Sequence, residues 1–101
     1  MEEQLKQIIN HYGIDKQLKY IHSEYFELDE AIINFWNDET QYEEIHRGDK
    51  EHIAEELADI QVMLKQFQYY YGITDEEVED IMQQKIERQL KRIEEENTNK
   101  E

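Results

Sequence analysis

The chain has no cysteine, no proline and only three glycines among its 101 residues. Without cysteine there can be no disulfide framework, so a reducing compartment such as the cytoplasm is expected. No apolar run approaches the roughly 18 residues of a membrane-spanning helix, so no membrane association is expected. The first residues, Met1-Glu2-Glu3, are acidic, which predicts no secretory signal at this end.

Basic residues are also scarce. Eleven lysines and arginines face 26 aspartates and glutamates, giving a formal net charge of −15. This balance argues against direct binding to a nucleic-acid backbone. An acidic protein can still bind an anionic small molecule when metal ions lie between the two. Residues 1–101 are expected to form a single domain, of a size at which oligomerisation often contributes to stability.

The glycines mark two turns with matching sequences, Tyr12-Gly13-Ile14-Asp15 and Tyr71-Gly72-Ile73-Thr74. Each predicts a helix that ends at glycine in the C′ position, followed by the N-cap residue of the next helix. Thr74 and Glu77 have the spacing of a capping box.

Apolar residues recur at intervals of three and four along most of the chain, which predicts an all-α, four-helix bundle-like fold. The expected helices are 2–12, 16–36, 50–71 and 75–95, with 37–50 as the one substantial loop and 94–101 frayed. The apolar positions expected to face the core are Leu5, Ile8, Ile9, Leu18, Ile21, Tyr25, Leu28, Ile32, Phe35, Ile53, Leu57, Ile60, Leu64, Phe67, Tyr71, Val78, Met82, Ile86, Leu90 and Ile93.

Two carboxylate pairs carry the strongest chemical signal: Glu24-x-x-Glu27 and Glu56-x-x-Asp59. On a helix, each pair lies on neighbouring turns of one face, next to the apolar seam. Antiparallel packing could bring all four carboxylates together, and each unpaired contact at 4–5 Å would cost roughly 3–4 kcal/mol at an effective dielectric near 20. No lysine or arginine lies four residues from any of them. A divalent cation would remove the repulsion, and oxygen-only ligands suit Mg²⁺ or Mn²⁺. The simpler alternative is a solvated acidic face.

A di-iron site is the rival metal hypothesis, but it needs Glu-x-x-His on two helices. The sequence has this motif once, at Glu43 and His46, and the other three histidines lack ligand spacing. These are His11, His22 and His52.

A cationic stripe, Lys85, Arg88 and Arg92, runs along the last predicted helix. It could complement the helix dipole, together with pairs such as Glu87–Lys91, or it could bind phosphate oxygens. The three isolated glycines cannot form a Walker A loop, so any phosphate would be held by metal and side chains.

The strings Ser23-Glu24-Tyr25-Phe26-Glu27-Leu28 and Glu55-Glu56-Leu57-Ala58-Asp59-Ile60 resemble the two signature motifs of the all-α nucleoside triphosphate pyrophosphohydrolases, the MazG-like superfamily. The family pattern is E-E-x-x-E on one helix and E-x-x-D on the next long helix. The segment from Lys85 to Ile93 is similar to the closing helix of small, phage-type members. The resemblance covers roughly residues 15–93.

The resemblance implies Mg²⁺-dependent hydrolysis of a nucleoside triphosphate to the monophosphate and pyrophosphate, by a dimer or tetramer. The resemblance implies that Mg²⁺ is bound by Glu24, Glu27, Glu56 and Asp59. It also implies that Glu24 and Glu27 are catalytic and that Lys85 and Arg88 bind the triphosphate. Ser23 replaces the first glutamate of the family motif, which in some members activates the attacking water. Glu24 or Glu55 could take that role, or the chain could bind nucleotides and hydrolyse them poorly.

Trp36 is the candidate for stacking on the nucleobase, with an oligomer interface as the alternative.

The sequence is compatible with three functions. The first is a nucleotide pyrophosphohydrolase. The second is a non-catalytic helical protein of the same fold that binds a nucleotide or a partner. The third is an acidic nucleic-acid mimic.

Overall fold

A computed structural model describes the backbone of residues 1–37 and 43–99, and the side chains of 1–36 and 50–99. The described residues form four α-helices and no strand, which confirms the all-α prediction. The helices are α1 (Glu2–Tyr12), α2 (Ile14–Asn37), α3 (Glu43–Tyr70) and α4 (Asp75–Asn99).

The chain divides into two compact units, Met1–Tyr71 and Gly72–Glu101. The first unit contains α1, α2 and α3, and its most extensive packing is between α2 and α3, with α1 against both. Gln17, early in α2, bonds Gln66, late in α3, whereas Glu24 is near Glu56, which lies earlier in α3. The two long helices are therefore antiparallel.

Both glycines lie where a helix ends, as predicted, but Gly13 has ψ of 153° and does not adopt the left-handed helical conformation of a C′ glycine. Gly13 has φ of 88° and Gly72 has φ of 69°, values that a residue without a Cβ adopts at little cost. The capping box is confirmed, since the Thr74 amide donates to Glu77 Oε2 at 3.0 Å and the Glu77 amide donates to Thr74 Oγ1 at 3.1 Å. Asp15, however, lies inside the first turn of α2, which begins at Ile14, and is not its N-cap.

Two boundary predictions were wrong. Residues 43–50, expected in a loop, belong to α3, which spans 28 residues; residues 38–42 lie outside the described part of the chain. One glycine inside a helix costs only about 1 kcal/mol, so Gly48 does not end it. The polar tail expected to fray continues α4 to Asn99, and Thr98 Oγ1 donates to the Glu94 carbonyl at 3.0 Å.

The buried face of the long helices differs from the predicted one. The apolar core of the first unit comprises Leu5, Ile9, Ile21, Ala31, Ile60, Met63 and Tyr69. Several residues expected inside are instead between 37% and 64% exposed: Ile8, Leu18, Tyr25, Ile32, Leu57, Leu64 and Tyr71. Each long helix has two apolar stripes, and the stripe that faces its neighbour within the chain includes polar residues.

Helix α4 buries none of its residues. Its predicted inward positions Met82, Ile86, Leu90 and Ile93 are exposed, and Val78 is half-buried. Among the described residues, no helix combines the length and apolarity needed to cross a membrane.

Candidate metal centre between the second and third helices

Glu24 on α2 and Glu56 on α3 lie within the buried interface between these helices, not at its border. Their exposed fractions are 5% and 8%. Ile21 precedes Glu24 by one turn on the same face, and Ile60 follows Glu56 by one turn, and both are buried. Apolar packing therefore fixes the rotation of both helices so that two carboxylates point into the contact.

The carboxylates of Glu24, Glu27 and Glu56 each offer an oxygen within 4.8 Å of the others. Asp59 lies close enough to Glu24 to raise the pKa of that carboxyl, and Glu27 and Asp59 both raise the pKa of Glu56. We refer to these four residues as the carboxylate cluster. The structure thus brings three of the four residues proposed as ligands within 4.8 Å of one another, Glu24, Glu27 and Glu56, and Asp59 is not part of that group.

Two oxygens of the cluster have no hydrogen-bond partner among the described residues: Glu24 Oε2 and Glu56 Oε2, both shielded from solvent. Buried charged groups are ordinarily paired or bound to a metal, because an unpaired one loses hydration without compensation. Within the described side chains, the ion-pairing group nearest to Glu56 is His52, whose Nε2 is 4.0 Å from Glu56 Oε1. That contact leaves the two buried oxygens unsatisfied.

The electrostatics of the cluster favour bound positive charge. Burial raises the pKa of Glu24, and the negative charges of Glu27, Asp59 and Glu56 raise it further. Burial also raises the pKa of Glu56, as do the charges of Glu27 and Asp59, while His52 acts in the opposite direction. Each carboxylate is therefore disfavoured in its charged form until a proton or a cation joins the cluster.

The donor set fits a hard divalent cation. It consists of carboxylate oxygens only, as Mg²⁺ and Mn²⁺ prefer, and it contains the two orphaned oxygens that a cation would satisfy. The described histidines lie elsewhere or at its edge: His11 and His22 are exposed, and His11 packs edge-to-face against Tyr12 with ring centroids 4.7 Å apart. The side chains of Glu43 and His46, the rival di-iron motif, lie outside the described residues.

The other predicted site residues are all exposed. Lys85, Arg88 and Arg92 lie along α4, and within the described part of the chain none of the three forms an ion pair. Glu87 accepts a hydrogen bond from Gln83 Nε2 at 3.3 Å. The described residues show no Glu87–Lys91 ion pair. Helix α4 continues to Asn99 and has no basic residue in its last turn, where a positive charge would complement the helix dipole.

Trp36 is 77% exposed near the end of α2, with its ring edge-to-face against Phe35 at 5.4 Å. Its role as a base-stacking residue stays a prediction. Ser23 and Glu55 are also exposed, each adjacent in sequence to a buried member of the carboxylate cluster.

Sequence reasoning missed a second polar contact in the same interface. Gln17 Nε2 donates to Gln66 Oε1 at 2.8 Å, with exposed fractions of 5% for Gln17 and 1% for Gln66. We call these two residues the amide pair. The signal was available: Gln17 lies seven residues before Glu24, and Gln66 lies seven residues after Asp59, so each shares a helix face with the cluster.

No protein-family model matches this chain, and neither the curated proteins nor the solved structures give a significant match. The likeness to the MazG-like enzymes therefore rests on the two motif strings.

Proposed function

We propose that this protein is a Mg²⁺-dependent nucleoside triphosphate pyrophosphohydrolase of the MazG-like type, forming a nucleoside monophosphate and pyrophosphate. The observation that carries the proposal is the pair of buried carboxylate oxygens, on Glu24 and Glu56, that have no partner among the described residues. A bound divalent cation would satisfy both oxygens and offset the repulsion among the carboxylates, in a chain whose net charge is −15. The two motif strings supply the reaction class.

The residues that would hold Mg²⁺ are the four members of the carboxylate cluster. When bound, the ion neutralises phosphate charge and makes a coordinated water a better nucleophile. Glu24 and Glu56 are buried, so their side chains are held in place by the helix packing. Glu27 and Asp59 are exposed and can be reached by a substrate.

The chain's own side chains supply orientation and proton handling. Glu27 is exposed beside Glu24 and can orient the attacking water, with Glu24 as the second catalytic carboxylate. Lys85 and Arg88 provide positive charge free of internal ion pairs among the described residues, as binding to triphosphate oxygens requires.

The proposed enzyme is a homo-oligomer, a dimer or a tetramer. The second apolar stripe of α2 and α3 leaves Leu18 46% exposed, Tyr25 47%, Leu57 43% and Leu64 46%. Apolar side chains at heptad spacing on an exposed helix face are typical of a surface that packs against another helix.

Sedimentation of a Leu18→Glu, Leu64→Glu protein tests the oligomer. We expect a monomer, because two buried charges would have no partner in the interface. Lys19→Glu, an exposed substitution about 100° around α2 from Leu18, should leave the oligomer unchanged. A wild-type monomer at micromolar concentration would contradict the assembly.

Ser23 favours one second candidate, a nucleotide-binding protein of the same fold without turnover. A missing general base typically removes about 10²–10⁴ in rate. Such a protein would bind Mg²⁺ and nucleotide and release no pyrophosphate.

The deciding experiment measures pyrophosphate release from the common ribo- and deoxyribonucleoside triphosphates, with Mg²⁺, Mn²⁺ or EDTA. Glu56→Gln should abolish release, whereas Glu51→Gln, an exposed glutamate on the same helix, should not. Metal-dependent stabilisation without release would favour the binding protein. No response to metal in either activity or thermal melting would refute both candidates and leave the acidic mimic.

A further inference from the structure

A groove runs between α1, α2 and α3 on the amide-pair side of the carboxylate cluster. Its volume is about 430 Å³, within the roughly 300–1,000 Å³ typical of small-molecule sites. Tyr12 and Tyr20 form its aromatic walls and Gln17 and Gln66 its polar floor, and the lining is completed by Ile8, Lys16, Val62 and Met63. We call it the amide groove.

The walls offer flat aromatic surface. Tyr12 is 49% exposed and Tyr20 is 54% exposed. Lys16 Nζ lies 4.9 Å from the centre of the Tyr12 ring, a cation–π contact that restrains the ring. Exposed tyrosine rings beside a cavity suit a planar ligand, which can stack on them while their hydroxyl groups remain in water.

The floor has unused hydrogen-bonding capacity. An amide pair joined by one hydrogen bond still has one carbonyl and further N–H groups. Gln66, at 1% exposed, directs its Nε2 towards the Met63 sulfur at 3.6 Å, and among the described residues this amide has no stronger acceptor. A thioether is a weak acceptor, so this buried donor is poorly satisfied.

The spacing links the groove to the carboxylate cluster. Seven residues of helix separate Gln17 from Glu24, and seven separate Asp59 from Gln66. Seven residues correspond to about 10 Å at the rise of an α-helix, and to nearly two full turns. Because α2 and α3 are antiparallel, both spacings run in the same direction, and the groove lies on the same interface as the cluster.

We propose that the amide groove binds the nucleobase of a nucleotide whose phosphates reach the carboxylate cluster, with the amide pair bonding the base's hydrogen-bonding edge. This inference rests on the proposed function. Every nucleobase carries an adjacent donor and acceptor, which match the remaining N–H and carbonyl of the pair. The base site is then at the end of α2 opposite to Trp36.

The first test needs neither metal nor turnover. Side-chain amide resonances of Gln17 and Gln66 are recorded while AMP, GMP, CMP, UMP or tripolyphosphate is added to the wild-type protein. The groove predicts that at least one nucleotide shifts both resonances, whereas base-free tripolyphosphate leaves them unchanged. Equal response to tripolyphosphate, or no response to any nucleotide, would overturn the proposal.

The second test compares a Gln17→Leu, Gln66→Leu protein with a Gln7→Leu protein, which carries the same chemical change at an exposed site of α1 outside the groove. We expect KM for the best triphosphate to rise at least about tenfold in the double variant, the factor that corresponds to 1.4 kcal/mol of lost binding. The kcat and the Mg²⁺ affinity should be retained. Unchanged KM in the double variant, with a rise in Trp36→Leu, would place the base at the other end of α2.

The two tests separate the two proposals. Amide shifts with a nucleotide in a protein that releases no pyrophosphate would support the groove and refute the enzyme. Pyrophosphate release with the same KM in the wild-type protein and in the Gln17→Leu, Gln66→Leu protein would support the enzyme and refute the groove.

Discussion

The α2–α3 interface buries polar groups in two places, and they solve the same problem differently. In the amide pair, one glutamine donates to the other at 2.8 Å. In the carboxylate cluster, Glu24 and Glu56 each keep a buried oxygen with no partner among the described residues. Neutral amides contain both donors and acceptors and can pair with each other. Ionised carboxylates are acceptors only, so they need protons or a cation from outside.

This difference separates a contact that the chain can complete from one that it cannot. A buried pair of ionised carboxylates without a proton or a cation destabilises a core. An amide pair is a normal core contact that keeps some unused hydrogen-bonding groups. Substitutions that exchange or remove these groups test the comparison directly.

The largest expected effect is on metal affinity. Glu56→Gln removes a buried carboxylate that we propose as a Mg²⁺ ligand, and we expect Mg²⁺ affinity to fall by about 100-fold or more, since outer-shell changes alone typically cost 10–100-fold. Isothermal titration calorimetry measures it, with Glu51→Gln as the matched control. The Gln17→Leu, Gln66→Leu protein should bind Mg²⁺ with wild-type affinity. If it loses as much Mg²⁺ affinity as Glu56→Gln, the proposed difference between the amide pair and the carboxylate cluster is wrong.

The second effect concerns the amide pair. Gln66→Leu alone leaves Gln17 buried without its acceptor, which should lower the free energy of unfolding by about 1–3 kcal/mol. Replacing both glutamines by leucine should restore much of the loss, because no buried amide remains. Urea denaturation gives both values. If the double variant is less stable than the single one, the two glutamines stabilise the fold by more than the hydrogen bond that they form with each other.

The third effect is the pH dependence of the metal-free protein. The pKa of Glu24 and that of Glu56 are raised above 4.5, so at these sites the folded state binds more protons than the unfolded state. Their contribution to stability is complete below pH 4.5 and is lost as the pH rises through the raised values. Melting in EDTA should show this fall with rising pH.

A Glu24→Gln, Glu56→Gln protein should flatten that part of the profile, whereas the double amide variant should keep it. Saturating Mg²⁺ should also remove the loss in the wild type, because the ion replaces the protons. A wild-type profile identical to that of the double glutamine variant would contradict the electrostatic account of the cluster.

The smallest effect on stability is expected at the exposed edge of the cluster. Glu27→Gln should change the free energy of unfolding of the metal-free protein by no more than about 0.5 kcal/mol, as for most surface substitutions. It should nevertheless weaken Mg²⁺ binding measurably. A titration that shows wild-type Mg²⁺ affinity in this variant would remove Glu27 from the ligand set.

Local signals in the sequence were reliable. The bounds of α1, the ends of α1 and α3 beside Gly13 and Gly72, and the Thr74–Glu77 capping box were all predicted from residues within a few positions of each feature. The prediction of a loop over 37–50 was wrong for the part that belongs to α3, because polar residues and one glycine within a helix resemble a loop when read without their packing.

The carboxylate motif was also local, and three of its four residues, Glu24, Glu27 and Glu56, lie within 4.8 Å of one another. Their position in the interface was less predictable. The sequence placed them at the border of an apolar seam, but Glu24 and Glu56 are buried, while Leu57 and Leu64 of the predicted seam are 43% and 46% exposed. The amide pair went unnoticed because glutamines near an apolar stripe usually face solvent.

By itself, the sequence determined four helices, two helix ends at glycine and the placement of a carboxylate pair on one face of each long helix. These depend on hydrogen bonds and side-chain spacing within one or two turns. Only the tertiary structure decided which of two apolar stripes each long helix turns towards its neighbour. That choice depends on the rotation of α2 against α3, where burial of Ile21, Ile60 and Met63 outweighs the cost of enclosing Glu24 and Glu56.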